Sequence, residues 1–213
     1  GGEALSPLLL KGFKTKYPKT KLINMYGITE TTVHVTYKEI TWVEMEAAKS
    51  NIGKPIPTLR VYVLDADRRP VPIGVAGEMY VAGEGLARGY LNRPDLTAEK
   101  FVDSPFAEGE KLYRSGDLAA WLPDGNIEYL GRIDHQVKIR GYRIELDEIE
   151  TQLLNARGVE EAVVLARQDG GGEKALVAYF VADRTLTVSE MRTSLAQGMP
   201  GYMIPSYFVQ LER

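Results

Sequence analysis

From Leu59 to about Tyr129 the chain advances in short runs that alternate apolar and polar residues. Among them are Val61-Tyr62-Val63-Leu64, Glu78-Met79-Tyr80-Val81 and Ile127-Glu128-Tyr129. Period-two alternation turns one face of each run toward a core, and glycine, proline and Asp124-Gly125 punctuate the runs. The pattern predicts a small antiparallel or barrel-like sheet over residues 59–132, interrupted by one helix near Asp95–Lys100. Ahead of it, Ser6-Pro7 reads as a helix start, serine capping and proline at the first helical position. That helix carries Leu8, Leu9 and Phe13 and breaks near Tyr17-Pro18. Lys21–Asn24 reads as a short strand feeding the loop Tyr26–Glu30.

After Asp134 the pattern changes. Leu146, Ile149 and Leu153 recur at i, i+3 and i+7, an apolar stripe on a helix from about Glu145 to Ala156. Val163–Leu165 and Leu176–Val181 flank the triple glycine 170–172 as in a hairpin. Thr187 and Glu190 form a capping-box signature before a helix with apolar Val188, Met191 and Leu195. A compact α+β module of roughly 80 residues follows from these elements, joined at Gly131-Arg132-Ile133-Asp134.

Composition narrows the function classes. The 213 residues carry a formal net charge of −3, from 26 basic and 29 acidic side chains, so no basic surface points to nucleic acid or an anionic membrane. With no cysteine, a disulfide framework, a thiolate nucleophile and a cysteine zinc site are excluded. No apolar run approaches the ~20 residues that cross a bilayer, and no signal peptide opens the chain; a cytoplasmic location is the expectation. The chain starts without methionine and stops just after a strand-like run, and it reads as a piece of a longer polypeptide.

Several short segments carry chemistry. In Asn24-Met25-Tyr26-Gly27-Ile28-Thr29-Glu30 the glycine permits a sharp turn, Tyr26 offers a flat face for a purine, Thr29 a hydroxyl for phosphate, and Glu30 a hard carboxylate suited to Mg²⁺. Read alone, this is a polar loop with a core tyrosine. Ser115-Gly116-Asp117 reads as a loop whose carboxylate could reach a ligand hydroxyl or simply cap a turn. Gly83-Glu84-Gly85-Leu86-Ala87-Arg88-Gly89-Tyr90-Leu91 lacks the ending and helix context of a phosphate loop, and a structural role is favoured. Arg132 could be an ordinary surface ion-pair partner. His34 and His135 are too few and too separated for a metal site or a triad.

Taken in order, the 24–32 segment, LARGYLNRPDLTAEKF and YRSGDLAAWLPDGNIEYLGRIDHQVKIRGYRIELDEIE resemble the adenylate-forming enzymes, most closely the adenylation domains of nonribosomal peptide synthetases. The resemblance implies an α+β chain: the end of an α/β subdomain and a small distorted β-barrel within residues 1–133, then a hinged compact α+β subdomain over 134–213. It implies amino-acid activation by ATP to an aminoacyl-AMP and transfer to a carrier-protein phosphopantetheine thiol. Glu30 and Thr29 take the catalytic positions, Glu30 also holding Mg²⁺. Gly2, Glu3, Asn24, Tyr26, Gly27, Asp117, Tyr129 and Arg132 take nucleotide-contacting positions, with Asp117 on the ribose hydroxyls. Gly1, Met25, Val33 and His34 line the side-chain pocket in a combination similar to threonine-activating domains. Asp134 takes the hinge position, a point of domain motion, and Lys138 and Gly141 lie in the loop that approaches pantetheine.

The implied partners are an amino acid, threonine being the expectation, a peptidyl carrier protein and the rest of a synthetase chain, with room for a small MbtH-like activator. The family's upstream phosphate loop and its downstream catalytic lysine are not within this sequence. The alternatives are an acyl-CoA or aryl-acid ligase of the same superfamily, or a non-catalytic fragment.

Overall fold

The computed structural model describes residues 4–47, 49–168 and 174–212. Within them the chain divides into two compact units, residues 4–134 and residues 135–212.

The first unit opens with a 3₁₀ turn, Pro7–Leu10, that runs into helix α1, Lys11–Lys16. Ser6 has the extended backbone of a cap, but its hydroxyl makes no capping bond; the turn is closed instead by the Leu9 N–H donating to the Ser6 carbonyl at 3.2 Å. The expected serine cap is thus replaced by backbone closure, which a 3₁₀ start supplies by itself. The strands that follow are β1 (Leu22–Asn24), β2 (Thr36–Ile40), β3 (Asn51–Pro55), β4 (Leu59–Leu64), β5 (Gly77–Gly83), β6 (Phe101–Asp103), β7 (Lys111–Trp121) and β8 (Ile127–Arg132). Helices α2 (Trp42–Ala47) and α3 (Pro94–Lys100) lie between them.

The strands form one antiparallel sheet in the order β1-β2-β3-β8-β7-β5-β4, with β6 also on β7. The sheet is open, not a closed barrel. Register shifts in β3, between β5 and β7, and between β7 and β8 bend it, as bulges do. Its outer strand β4 is covered by its own continuation: Leu64 bridges Pro70, and the Val71 N–H donates to the Val63 carbonyl at 3.1 Å. Proline at positions 70 and 72 lacks the N–H that another strand would need. Alternation along β4 sends Leu59, Val61 and Val63 into a core shared with Met79, Val81, Phe101, Tyr113, Ala119 and Ile127.

Helix α2 went unread in the sequence because it is only one and a half turns long. Its start is secured by Glu44, whose carboxylate accepts from the Thr41 N–H at 2.8 Å and the Thr41 hydroxyl at 2.7 Å, and pairs with Lys38 at 2.8 Å. Burial raises the Glu44 carboxyl, but the Lys38 and Thr41 bonds outweigh it and bring the pKa down to about 2.

The second unit begins with the hairpin β9 (Val137–Ile139) and β10 (Tyr142–Ile144), turned through Arg140 (φ +51) and Gly141 (φ +81). Helix α4 (Leu146–Leu154) buries Leu146, Ile149 and Leu153, the stripe read from the sequence. Strands β11 (Val159–Gln168) and β12 (Lys174–Ala182) pair antiparallel, and β13 (Tyr207–Gln210) joins β12 in parallel. The triple glycine expected to turn the hairpin lies outside the described residues. Helix α5 (Val188–Ala196) carries the expected capping box: the Thr187 hydroxyl accepts from the Glu190 N–H, and Glu190 accepts from the Thr187 N–H at 2.8 Å. Met191 and Leu195 are buried, but Val188, at the first helical position, is 49% exposed. Leu153, Val164, Phe180, Met191 and Leu195 belong to one core.

Leu153 has no solvent exposure, so Leu153→Ala should destabilise the second unit by about 2–5 kcal/mol, read from its urea midpoint by circular dichroism. Glu44 and Glu190 are both held at about 2 when folded, against 4.5 unperturbed. Their contribution is present above the unfolded value and lost as pH falls from about 4.5 toward 2. The melting temperature should fall across that window, and Glu44→Gln should flatten the fall in a calorimetric pH series.

Candidate functional site

Residues 24–34 make a tight reversal that begins at the end of β1. The Asn24 side chain donates from Nδ2 to the Asn51 carbonyl at 3.0 Å, tying the segment to β3. The Tyr26 carbonyl accepts from both Val35 N–H (2.8 Å) and Thr36 N–H (3.1 Å). A Cβ on Gly27 would overlap the Val33 carbonyl, so only glycine fits where the two arms of the reversal meet. Thr29–Thr31 form a 3₁₀ turn, and Thr32 (φ +60) and Val33 (φ +72) then adopt left-handed backbone. That conformation is costly for β-branched residues, and here it lets the chain double back. Met25, Thr29, Val33 and His34 are exposed on this reversal, while Glu30 is buried at 8% exposure. The Tyr90 hydroxyl donates to Glu30 Oε1 at 2.6 Å.

The Ser115-Gly116-Asp117 segment is not a loop ahead of a strand. It lies within β7, in a bulge: Glu78 pairs with Leu118 and Tyr80 with Arg114, so three residues of β7 stand opposite Met79 alone. Gly116 takes φ +72 at the bulge, which glycine accepts without strain. The bulge is braced by Ser115, whose hydroxyl donates to the Met79 carbonyl at 2.5 Å and accepts from the Asp117 N–H at 3.0 Å. The Gly116 N–H donates to Glu78 Oε1 at 3.2 Å.

This geometry turns Asp117 inward, where its side chain is 3% exposed. The Tyr26 hydroxyl donates to Asp117 Oδ2. The Arg132 guanidinium, directly across the β7–β8 ladder, donates from Nη1 to Asp117 Oδ1 at 3.1 Å and from Nε to Asp134 Oδ1 at 2.8 Å. Tyr129 lies beside Tyr26 with ring centroids 6.0 Å apart. Burial, then the Asp117 carboxylate, pushes the Tyr26 phenol well above its usual 10. The same two causes push Tyr129 up to about 12. Burial and the bond to Glu30 raise Tyr90 likewise.

The structure therefore brings Tyr26, Asp117, Tyr129, Arg132 and Asp134 into one network. Glu30 is bonded to Tyr90, and Asn24 is engaged with β3. Lys138 and Gly141 lie in the β9–β10 hairpin of the second unit, Lys138 opposite Arg143. Gly1, Gly2 and Glu3 lie outside the described residues. Sequence reasoning missed Tyr90, Glu78 and the bracing role of Ser115. Tyr90 was within reach, since it stands next to last in the glycine-rich 83–91 segment, but the glycines drew attention to turns.

Residues 1–91 match the family described as AMP-binding enzyme. Tyrocidine synthase 3 of Brevibacillus parabrevis is 52% identical over 214 residues, covering 100% of this chain and 3% of that protein. A solved nonribosomal peptide synthetase protein containing adenylation and carrier-protein domains superposes with a TM-score of 0.85 at 29% identity, covering 100% of this chain and 42% of that one. The chain belongs to the adenylation domains of nonribosomal peptide synthetases. A Vibrio cholerae adenylation domain in complex with glycyl-adenosine-5'-phosphate matches this adenylation-domain segment with a TM-score of 0.87 at 28% identity, over 100% of this chain and 40% of that one. The segment spans between 3% and 8% of the length of the curated relatives it matches.

Such enzymes imply Mg²⁺ with ATP. Among the described residues no group of three His, Asp or Glu side chains could cage a metal. Mg²⁺ needs no such cage, since it keeps several waters and is held by one or two carboxylates together with phosphate oxygens. The Glu30 carboxylate, with the exposed Thr29 hydroxyl beside it in the chain, fits that donor set.

In a spectrophotometric titration Tyr129 should remain a phenol until about pH 12. Asp117→Asn, which removes the charge opposing ionisation, should move its titration down toward 10.

Proposed function

We propose that this adenylation-domain segment supplies the nucleotide-holding part of an enzyme that activates an amino acid with ATP. The carboxylate attacks the α-phosphate and pyrophosphate leaves; a carrier-protein phosphopantetheine thiol then attacks the aminoacyl carbonyl, forming a thioester and releasing AMP. The observation that carries this reading is the β7 bulge, which sets the Asp117 carboxylate among Tyr26, Tyr129 and Arg132 from two other stretches of sequence.

In this reading Asp117 accepts from the two ribose hydroxyls. An ionised carboxylate has about four lone-pair sites, and bonds to a charged acceptor are the stronger kind. Arg132 is pinned by Asp134 on its far side, so the Tyr26 phenol is the donor that gives way to the sugar. Tyr26 and Tyr129 then offer ring faces to the adenine. Thr29 donates its hydroxyl to a phosphate oxygen, and Glu30 holds the cation. Mg²⁺, when bound, would neutralise phosphate charge as pyrophosphate departs. The chain's own contribution is positioning: the bulge and the reversal fix the donors before substrate arrives.

Met25, Val33 and His34, exposed on the reversal, supply part of the side-chain pocket. His34 provides a polar partner for a side-chain hydroxyl, which favours threonine over acids that lack one. Asp134 ends the first compact unit and serves as the swivel between half-reactions. The β9–β10 turn with Lys138 and Gly141 approaches pantetheine in the second. The structural relative bound to glycyl-adenosine-5'-phosphate and the one that contains adenylation and carrier-protein domains support the two half-reactions of this reading.

The test uses the parent synthetase. Amino-acid-dependent ATP–pyrophosphate exchange should be fastest with threonine; preference for a hydroxyl-free acid would sink the substrate assignment, and no exchange with any amino acid would sink the reaction. Asp117→Asn should weaken AMP binding by about 1.5–3 kcal/mol, whereas Tyr26→Phe, which keeps the ring and removes only the competing phenol, should not weaken it. Calorimetric titration with AMP separates the two.

A further inference from the structure

The glycine-rich segment that follows β5 has so far carried no function, yet it is bound to the Glu30 turn at three points. The Ala87 N–H donates to the Glu30 carbonyl at 2.8 Å. The Thr32 hydroxyl donates to the Gly85 carbonyl at 2.7 Å. The Tyr90 hydroxyl donates to Glu30 Oε1 at 2.6 Å. Gly85 passes so close that a Cβ there would lie 2.9 Å from the Thr31 carbonyl oxygen. The segment is a clamp fitted to one particular turn.

Tyr90 is itself held firmly. Its N–H donates to Thr97 Oγ1 at 2.9 Å, at the head of α3's second turn. Its ring meets Phe101 edge-on with centroids 5.7 Å apart, and its hydroxyl lies 3.5 Å from that of Tyr113 on β7. The preceding Gly89, at φ +144, abuts the Thr97 side chain. Backbone, ring and hydroxyl are therefore all placed before Glu30 is considered.

From this geometry we infer that Tyr90 is a positioning residue for Glu30, fixing its carboxylate for a phosphate-bound divalent cation. The inference rests on the reading of Glu30 as the cation's carboxylate. Its physical basis is the kind of donor involved. A buried carboxylate needs hydrogen bonds, but a lysine or arginine supplying them would cancel the charge that attracts a cation. A phenol holds one oxygen in place and leaves the negative charge intact. Partners that orient a ligating group in this way commonly govern metal affinity.

The test uses the parent synthetase with Tyr90→Phe, Glu30→Gln and the double variant, and titrates each calorimetrically with MnATP and with metal-free AMP. Tyr90→Phe keeps the ring against Phe101 and should weaken MnATP binding roughly tenfold, the low end for such partners, with AMP binding unchanged. The Mg²⁺ concentration for half-maximal exchange should rise with it, and adding Tyr90→Phe to Glu30→Gln should cause little further loss. If Glu30→Gln leaves MnATP binding unchanged, the Glu30 reading fails and this inference with it. If Glu30→Gln weakens MnATP and Tyr90→Phe does not, only the role of Tyr90 is lost. Equal weakening of AMP and MnATP by Tyr90→Phe, loss of AMP binding altogether, or full additivity in the double variant would each show that Tyr90 merely packs, and would overturn the proposal.

Discussion

A carboxylate with 3% of its side chain exposed sits in the middle of a β-sheet at Asp117. Burying such a charge is expensive unless it is paired and hydrogen-bonded, and much of the first unit's construction meets that requirement. The β7 bulge turns the residue inward, Ser115 braces the bulge, and the ladder brings Arg132 directly opposite. The reversal at residues 24–34 delivers the Tyr26 phenol to the other oxygen. These partners come from segments that are far apart in sequence.

The same arrangement explains why the sheet is bent. A flat ladder would point Asp117 and its neighbours alternately to the two faces. Three residues of β7 against one of β5 break that alternation, and the successive residues Ser115, Gly116 and Asp117 are all buried. The distortion that spoils the regular sheet is the one that creates the site. A comparable local cost is met at Thr32 and Val33, whose left-handed backbone closes the reversal around Gly27.

Legibility varied with the range of the interaction. The stripe Leu146-Ile149-Leu153 and the Thr187–Glu190 box were readable because their partners lie within one or two helical turns. The related Thr41–Glu44 cap was present in the sequence and passed unread, since the helix it starts is too short to show periodicity. Ser6 misled for the opposite reason: the residue type was right for a cap, but a 3₁₀ start closed by its own backbone had no need of the hydroxyl. The Ser-Gly-Asp segment was read as a loop because a bulge of three residues against one has no local signature. It is a property of two strands together.

The sequence by itself determined the alternating runs of β4, β5 and β8, the helices α4 and α5, the change of character near Asp134, and the resemblance carried by the 24–32 and 113–150 segments, because each rests on neighbouring residues or on a contiguous motif. Only the tertiary structure decided that Tyr26, Asp117, Tyr129 and Arg132 share one buried network and that Tyr90 holds Glu30. The hydrogen bonds among them span up to 91 positions between their partners. They are set by register and backbone reversal, and neither quantity is written in any single stretch of the chain.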